Sequence, residues 1–333
     1  MTQEFSPSRY DKMIYRRCGD SGLKLPAISL GFWQALGAPG YEEECRRCAY
    51  YAFDQGITHF DLANNYGPPV GNSELVVGQI VKDMPRDEMI ISTKAGYGMW
   101  YGPYGAGGSK KYLIASIDQS LKRLGLEYVD IFYHHVPDDE TPLEETMGAL
   151  DQIVRQGKAL YIGVSNYGGV RYNKAVDVIK QHDWMPITIN QPSYSMIRTG
   201  IETDLLPYTR TYGAGVIAFC PLNGGDLSDR YLNGLPPDSR YGKRGEEGQR
   251  WWQDQKDKGV WDRLGQLNVI AQERGQTLAQ MSLAWVLRLP GMTSALIGAS
   301  RVEQIKENVG ALDNLTFTDD ELTRISALTK NWP

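Results

Sequence analysis

The sequence predicts a closed (β/α)8 barrel, and three observations carry that prediction. Short apolar runs alternate with longer amphipathic ones along nearly all of the 333 residues, and such alternation needs parallel strands joined by helical crossovers. Eight strand-and-helix pairs can be counted. No shift of composition and no Pro- or Gly-rich linker divides them. Length alone, at about 150 residues per domain, would allow two domains; eight undivided units instead point to a single barrel domain spanning 1–333.

The elements follow in order. Residues 14–28 read as a hairpin closed by Gly19-Asp20-Ser21-Gly22. Strands are expected at 28–32, 58–62, 89–93, 128–134, 160–164, 187–190, 215–219 and 294–297, each followed by a helical pattern. A last helix at 319–328 would pack outside the barrel. Between the seventh strand and a helix beginning near Val260 lie roughly 40 residues rich in Gly, Pro, Asp and Arg, far beyond the usual few-residue connection. Long loops at the carboxyl ends of barrel strands are where such folds keep binding and chemistry.

Composition removes several function classes. Lys plus Arg number 35 against 40 Asp plus Glu, a formal charge of −5, which offers no electrostatic footprint for nucleic acid or an acidic membrane. Cys18, Cys45, Cys48 and Cys220 are too few for a disulfide framework and point to a reducing compartment. Residues 1–17 lack an apolar signal core, and no stretch approaches the roughly 18 apolar residues of a membrane span. The expectation is a soluble cytoplasmic protein with a small-molecule substrate, and a homo-oligomer is compatible with it.

If active groups sit at strand ends, three neighbouring ends stand out. The second strand ends in Phe60-Asp61 and runs into Asn64-Asn65-Tyr66-Gly67; the third ends in Ser92-Thr93-Lys94; the fourth ends in Tyr133-His134-His135. Barrel closure brings Asp61, Tyr66, Lys94 and a histidine of the His134-His135 pair together as a proton-transfer set. A phenol with an ordinary pKa near 10 needs a nearby ammonium to act as an acid at neutral pH, and Asp61 would hold that ammonium. A barrel hydrolase would need paired carboxylates or metal ligands in register, and no second acid accompanies Asp61. Cys45-Arg46-Arg47-Cys48 lacks a second pair or a His at zinc spacing and lies inside an amphipathic helix, so it reads as packing. His59 and His182 read as structural or solvated.

On these residues the chain resembles the aldo-keto reductases, whose barrel uses an Asp, Tyr, Lys and His tetrad in this order. Residues 60–67, Ser92-Thr93-Lys94 and 128–135 are similar to three signatures of that family. His135 rather than His134 matches the family histidine, and strand parity leaves His134 as a packing residue. Residues 95–104 and 128–142 are similar to the bacterial glyceraldehyde-3-phosphate reductase group, relatives of the potassium-channel β-subunits. That resemblance implies an NADPH-dependent reductase of small aldehydes or ketones, such as glyceraldehyde 3-phosphate and methylglyoxal. The alternative it implies is an NADP(H)-sensing regulatory subunit that turns over slowly.

The nucleotide site needs its own argument. Gly96, Gly98 and Gly102 do not form a dinucleotide fingerprint, because the spacing is wrong, no helix follows at once, and Trp100, Tyr101 and Pro103 would crowd a pyrophosphate turn. The run reads instead as a loop wall beside the substrate, with Trp100 in the pocket and Trp33 facing it. Lys110, Lys111 or Arg198 is available to meet a substrate phosphate. The phosphate candidate for the cofactor is Gly298-Ala299-Ser300-Arg301, where the eighth strand turns into a helix at 302–309. A helix N-terminus attracts phosphate, and Arg301 adds a fork of donors suited to the 2′-phosphate of NADP. Ser300 with Glu303 also satisfies a capping box. The resemblance adds Gln304, Glu307 and Asn308 as phosphate and adenine contacts, Ser165, Asn166 and Gln191 as partners of a nicotinamide carboxamide, and Phe219 as its stacking ring. Taken alone, Gln191 equally suits the Pro192 turn, and Phe219 reads as core. Pro221 and Leu222 open the long insertion as in the family, but Asn223-Gly224-Gly225-Asp226-Leu227-Ser228-Asp229-Arg230 departs from the usual run. Asp226 and Asp229 sit where phosphate would pass, and Arg230 replaces the usual Lys at the pyrophosphate.

Overall fold

The structure, a computed structural model, describes residues 4–333. β1 (Tyr15–Arg17) and β2 (Lys24–Pro26) form the expected antiparallel hairpin, closed where the Cys18 N–H donates to the Leu23 carbonyl at 2.8 Å. Eight strands then make the predicted barrel: β3 (Ile28–Gly31), β4 (His59–Asp61), β5 (Ile90–Ala95), β6 (Val129–His134), β7 (Ala159–Ser165), β8 (Ile187–Gln191), β9 (Gly215–Ala218) and β10 (Met292–Gly298). They pair in parallel in chain order, and β10 closes on β3. The strand interiors are buried on both faces, as parallel barrels require, which is why they read as short continuous apolar runs.

Helices fill the crossovers. α1 (Glu42–Asp54), α2 (Asn72–Val81), α3 (Lys110–Leu124), α4 (Leu143–Arg155) and α5 (Gly169–His182) follow β3 to β7 in turn. After β8 the chain makes two short pieces, α6 (Ile201–Asp204) and α7 (Leu206–Thr211). α8 (Glu246–Asp257), α9 (Val260–Glu273) and α10 (Leu278–Leu287) separate β9 from β10; α11 (Val302–Val309) and α12 (Asp319–Thr329) end the chain. Their limits are written locally. Ser109 caps α3 by accepting from the Tyr112 N–H at 3.3 Å, and Gly125 stops it with φ +68. Thr318 and Glu321 form a full capping box on α12. No helix among the described residues is long and apolar enough to cross a membrane.

The core has two parts. The larger lies between barrel and helices and takes in Cys45 and Cys48, free thiols on the buried face of α1. The smaller lies inside the barrel: Cys18, Leu23 and Leu25 of the hairpin meet Ile131, Tyr133, Ile189, Ile217 and Leu296. The hairpin therefore plugs the amino-terminal end and leaves the carboxyl-terminal mouth for chemistry. Tyr133 lies across the interior against Gly163, where a Cβ would stand 2.4 Å from the phenol ring.

The long insertion is more ordered than its composition suggests. It makes turns of 3-10 helix at Asn223–Gly225, Asp229–Tyr231 and Gly242–Arg244, and then α8. Tyr241 stacks on Trp251 at 3.6 Å, Trp252 on Trp261 at 5.9 Å, and Tyr231 meets Trp251 and Trp261 edgewise or tilted. This aromatic stack fastens the insertion to α9. α8 escapes sequence reading because its apolar side chains are only the adjacent Trp251 and Trp252 in an otherwise polar, Gly-flanked run.

Candidate active site

Parity along three adjacent strands sets the site. On β6, Ile131 and Tyr133 belong to the barrel interior, so His135, two residues on, continues that row at the mouth while His134 faces the helices. There the His134 Nδ1 lies 2.7 Å from the Tyr167 hydroxyl, which agrees with a packing role. On β5, Thr93 points outward and donates to Glu74, itself paired with Arg123 at 2.6 Å. Ser92 and Lys94 point inward, and on β4 so do His59 and Asp61.

Lys94 and Asp61 are fully buried and paired at 2.5 Å. The ammonium also donates to the Leu62 carbonyl at 2.7 Å and to the Tyr66 hydroxyl at 3.4 Å. Asp61 Oδ1 accepts from Ser92 Oγ at 2.6 Å and from Gln191 Nε2 at 3.2 Å. The loop carrying Tyr66 is anchored where the Asn64 N–H donates to the Lys94 carbonyl, and the Gly71 and Ser73 N–H groups donate to the Tyr66 carbonyl. The Tyr66 and His135 rings meet edge to face with centroids 5.8 Å apart.

The electrostatics differ from expectation in one respect. Lys94 was expected to lower the Tyr66 pKa, but burial, helped by the Asp61 charge, holds it well above the ordinary phenol value. Desolvation of the phenolate outweighs an ammonium that Asp61 already neutralises. Burial also lowers the Lys94 pKa, opposed by Asp61. His135 is held well below the ordinary histidine value by burial and by the Lys94 charge, so its imidazole is neutral.

Around these four groups stand the cofactor candidates. Ser165 Oγ donates to the Gln191 carbonyl at 2.8 Å, and Asn166 Nδ2 donates to the His135 carbonyl at 3.0 Å. Gln191 spends its amide on Asp61, so it does more than support the Pro192 turn. Phe219 is half-buried beyond β9, its N–H donating to the Pro192 carbonyl at 3.0 Å. Pro221 is buried and Leu222 half-buried at the start of the insertion. Arg230 is engaged by Asp238 at 2.8 Å. Asp226 keeps Oδ1 buried without a hydrogen-bond partner, and burial pushes its carboxyl up to about 6.

At the far rim, Gly298 is exposed with open space where a Cβ would lie. The capping box expected from Ser300 and Glu303 is not formed. The helix spans Val302–Val309 as expected, with Arg301 as its N-cap and no side-chain cap; Ser300 donates through N–H and Oγ to Gln304 Oε1 at 2.8 and 3.2 Å, and Glu303 lies 3.8 Å from Arg301. The Arg301 head is half exposed. Gln304 and Asn308, one turn apart, share a helix face with Glu307 beside them.

Two neighbours of the mouth escaped sequence reasoning. Tyr97 lies edge-on against His135 with centroids 4.6 Å apart, closer to the reacting groups than Trp100, which leans on Tyr112. Arg240 of the insertion lies over the Trp33 ring at 5.4 Å; the expected pairing of Trp33 with the aromatic loop does not describe this contact. Among the candidates for a substrate phosphate, Lys111 sits over the Tyr104 ring, Lys110 anchors α3 through its N–H to Glu145, and Arg198 is exposed, with Arg240, around Cys220.

The chain is similar to known proteins over nearly all of its length. The sequence model of the Aldo/keto reductase family matches residues 27–330. The chain is 51% identical to L-glyceraldehyde 3-phosphate reductase of Escherichia coli O157:H7 over 96% of its own length and 93% of that protein. It is 36% identical to a putative voltage-gated potassium channel subunit beta of Schizosaccharomyces pombe, covering 97% of this chain and 94% of that one. A probable voltage-gated potassium channel subunit beta of Oryza sativa subsp. japonica is 32% identical over 96% of this chain and 98% of its own. Likeness of this extent, running through the whole barrel and its mouth, leaves a single assignment: the chain belongs to the aldo/keto reductase family.

Proposed function

We propose that this protein reduces small aldehydes, glyceraldehyde 3-phosphate and methylglyoxal among them, with NADPH as reductant and Tyr66 as general acid. The observation that carries the reading is the hydrogen-bonded line from Asp61 through Lys94 to Tyr66, ending beside a neutral His135. The 51% identical relative named for L-glyceraldehyde 3-phosphate supports the substrate class. Bound NADPH supplies one thing, a hydride for the carbonyl carbon.

The chain's own residues do the rest. His135, uncharged, holds the carbonyl oxygen by a hydrogen bond. Tyr66 keeps its proton until negative charge develops on that oxygen, then gives it up; the Lys94 ammonium at 3.4 Å stabilises the phenolate left behind. Asp61 keeps Lys94 charged in a site that would otherwise strip its proton. Trp33, Trp100 and Tyr97 wall the pocket and limit water.

The donor set suits a dinucleotide phosphate. Arg301 and Ser300 would hold the 2′-phosphate at the α11 N-terminus, with Gln304, Glu307 and Asn308 toward the adenine. The open space at Gly298 lets backbone approach a ligand. Ser165, Asn166 and Gln191 would orient the carboxamide over Phe219, with Pro221 and Leu222 beside it. Arg230 reaches the diphosphate only by leaving Asp238. The raised Asp226 carboxyl is part-neutral near pH 6, which softens its repulsion of an anion in this stretch.

Replacing Tyr66 tests the reading. Tyr66→Phe is expected to lower the turnover of methylglyoxal and glyceraldehyde 3-phosphate by about 10²-fold or more, while NADPH still binds by fluorescence titration. Parent-like turnover in the Phe variant would discard Tyr66 as the acid. Tight NADPH binding with negligible turnover by the unaltered protein would favour the regulatory role that the channel-subunit relatives suggest.

A further inference from the structure

Directly beneath Asp61 runs a second polar line that the reductase reading does not use. His59, two residues before Asp61 on β4, is fully buried, as are Ser29, Ser92 and Ser294. Its Nε2 lies 2.9 Å from Ser92 Oγ and its Nδ1 2.9 Å from Ser29 Oγ. Ser29 Oγ in turn lies 2.7 Å from Ser294 Oγ, while Ser92 Oγ reaches Asp61 at 2.6 Å. Four strands, β10, β3, β4 and β5, contribute one link or more to this line.

Counting protons fixes its direction. An Asp61 carboxylate bound to Lys94 can only accept, so Ser92 spends its single proton on it. Ser92 must then accept from His59, which places the imidazole proton on Nε2. The bare Nδ1 accepts from Ser29, and Ser29 accepts from Ser294. Every hydroxyl and N–H in the line thus points toward Asp61. Burial lowers the His59 pKa to about 4, against the Asp61 charge that raises it and with the Lys94 charge that lowers it further; the neutral tautomer is the resting form.

We propose that His59 is a positioning residue for the reduction: by donating through Nε2 it locks the Ser92 hydroxyl onto Asp61, and so holds the Asp61 carboxylate aimed at Lys94. A free Ser92 rotor would share its proton with other acceptors, and Asp61 would lose a donor that fixes its orientation. The inference rests on the proposed roles of Asp61, Lys94 and Tyr66 in the reductase. It changes what His59 is for, from the filling of the barrel interior to the setting of a catalytic charge.

Two measurements test it. Long-range 15N–1H NMR of the unaltered protein, which has 4 histidines, should show His59 neutral with its proton on Nε2 at neutral pH. A proton on Nδ1, or an imidazolium there, would overturn the proposal, and this readout needs neither turnover nor a variant that folds. The second compares His59→Leu, which removes the donor, with His59→Gln, whose amide can both donate to Ser92 and accept from Ser29. The Leu variant should lose about tenfold in kcat, on the scale of one hydrogen bond to a charged group. Its basic limb, and the Lys94 titration followed by NMR, should both move to lower pH, with the Gln variant restoring them. A Leu variant with reduced kcat but an unmoved Lys94 titration would make His59 merely structural. Absence of aldehyde reduction in the unaltered protein would instead defeat the functional reading, and the tautomer and Lys94 titration would still decide the role of His59.

Discussion

Asp61 is the residue on which the proposed chemistry turns, because among the described residues it is the anion paired with the fully buried Lys94 at the barrel mouth. Three donors reach it, from Lys94, Ser92 and Gln191. Removing one partner of a buried ion pair leaves the other uncompensated, so Asp61→Asn should cost about 3 kcal/mol of stability in denaturant unfolding. It should also let Lys94 lose its proton at still lower pH. The sign for the unaltered enzyme follows from the same balance. Burial holds Lys94 below the ordinary lysine value, and the proposed reduction needs its ammonium; activity is therefore expected to fall as pH rises, with a midpoint below 10.5. A pH profile of kcat with its basic midpoint at or above 10.5 would contradict this. The identities and order of these residues were readable from the chain, since parity and strand ends are local properties. The direction of the Tyr66 shift was not, because it depends on how far burial and a neutralised ammonium oppose each other.

At the scale of elements, the proposed preference for NADPH would reside at the N-terminus of α11. Its N-cap, Arg301, makes no side-chain cap, and among the described residues its ion pair is with Glu303 at 3.8 Å, which leaves its half-exposed guanidinium open to an anion. Arg301→Ala is expected to weaken NADPH binding by about tenfold or more, the worth of hydrogen bonds to a charged group, with little effect on NADH. Equal losses for both nucleotides in calorimetric titration would remove the 2′-phosphate from this turn. The strand-to-helix turn and the helix at 302–309 were legible, yet the residues that partner its first turn were not. Helix ends are fixed by which backbone groups find partners, and the Gln304 side chain, not Glu303, reached back to Ser300. The insertion was legible only as a long segment, because its fixing contacts are rings brought together from Tyr231, Tyr241, Trp251 and Trp261.

For the whole molecule, the barrel has a closed end and an open one. The hairpin closes the amino-terminal end by setting Cys18 against Gly215 of β9, where a Cβ would stand 2.4 Å from the Cys18 sulfur and 2.6 Å from Thr293 Oγ1. Gly215→Ala should therefore destabilise the protein by about 1–3 kcal/mol, the usual cost of overpacking, seen as a lower denaturation midpoint with the mouth chemistry retained. An unchanged midpoint would mean that the hairpin is free to shift.

The sequence by itself determined the eight-stranded barrel and the inward rows that place Asp61, Lys94 and His135 at one end. Both follow from the alternation of short apolar runs with amphipathic ones and from the two-residue parity of strands, which are local properties of the chain. Only the tertiary structure decided that Tyr97 rests on His135, that Arg240 covers Trp33, and that His59 completes a line of serines leading to Asp61. Those contacts join residues from 30 to 265 positions apart in the sequence, and the serine line exists only once closure has brought β10 beside β3.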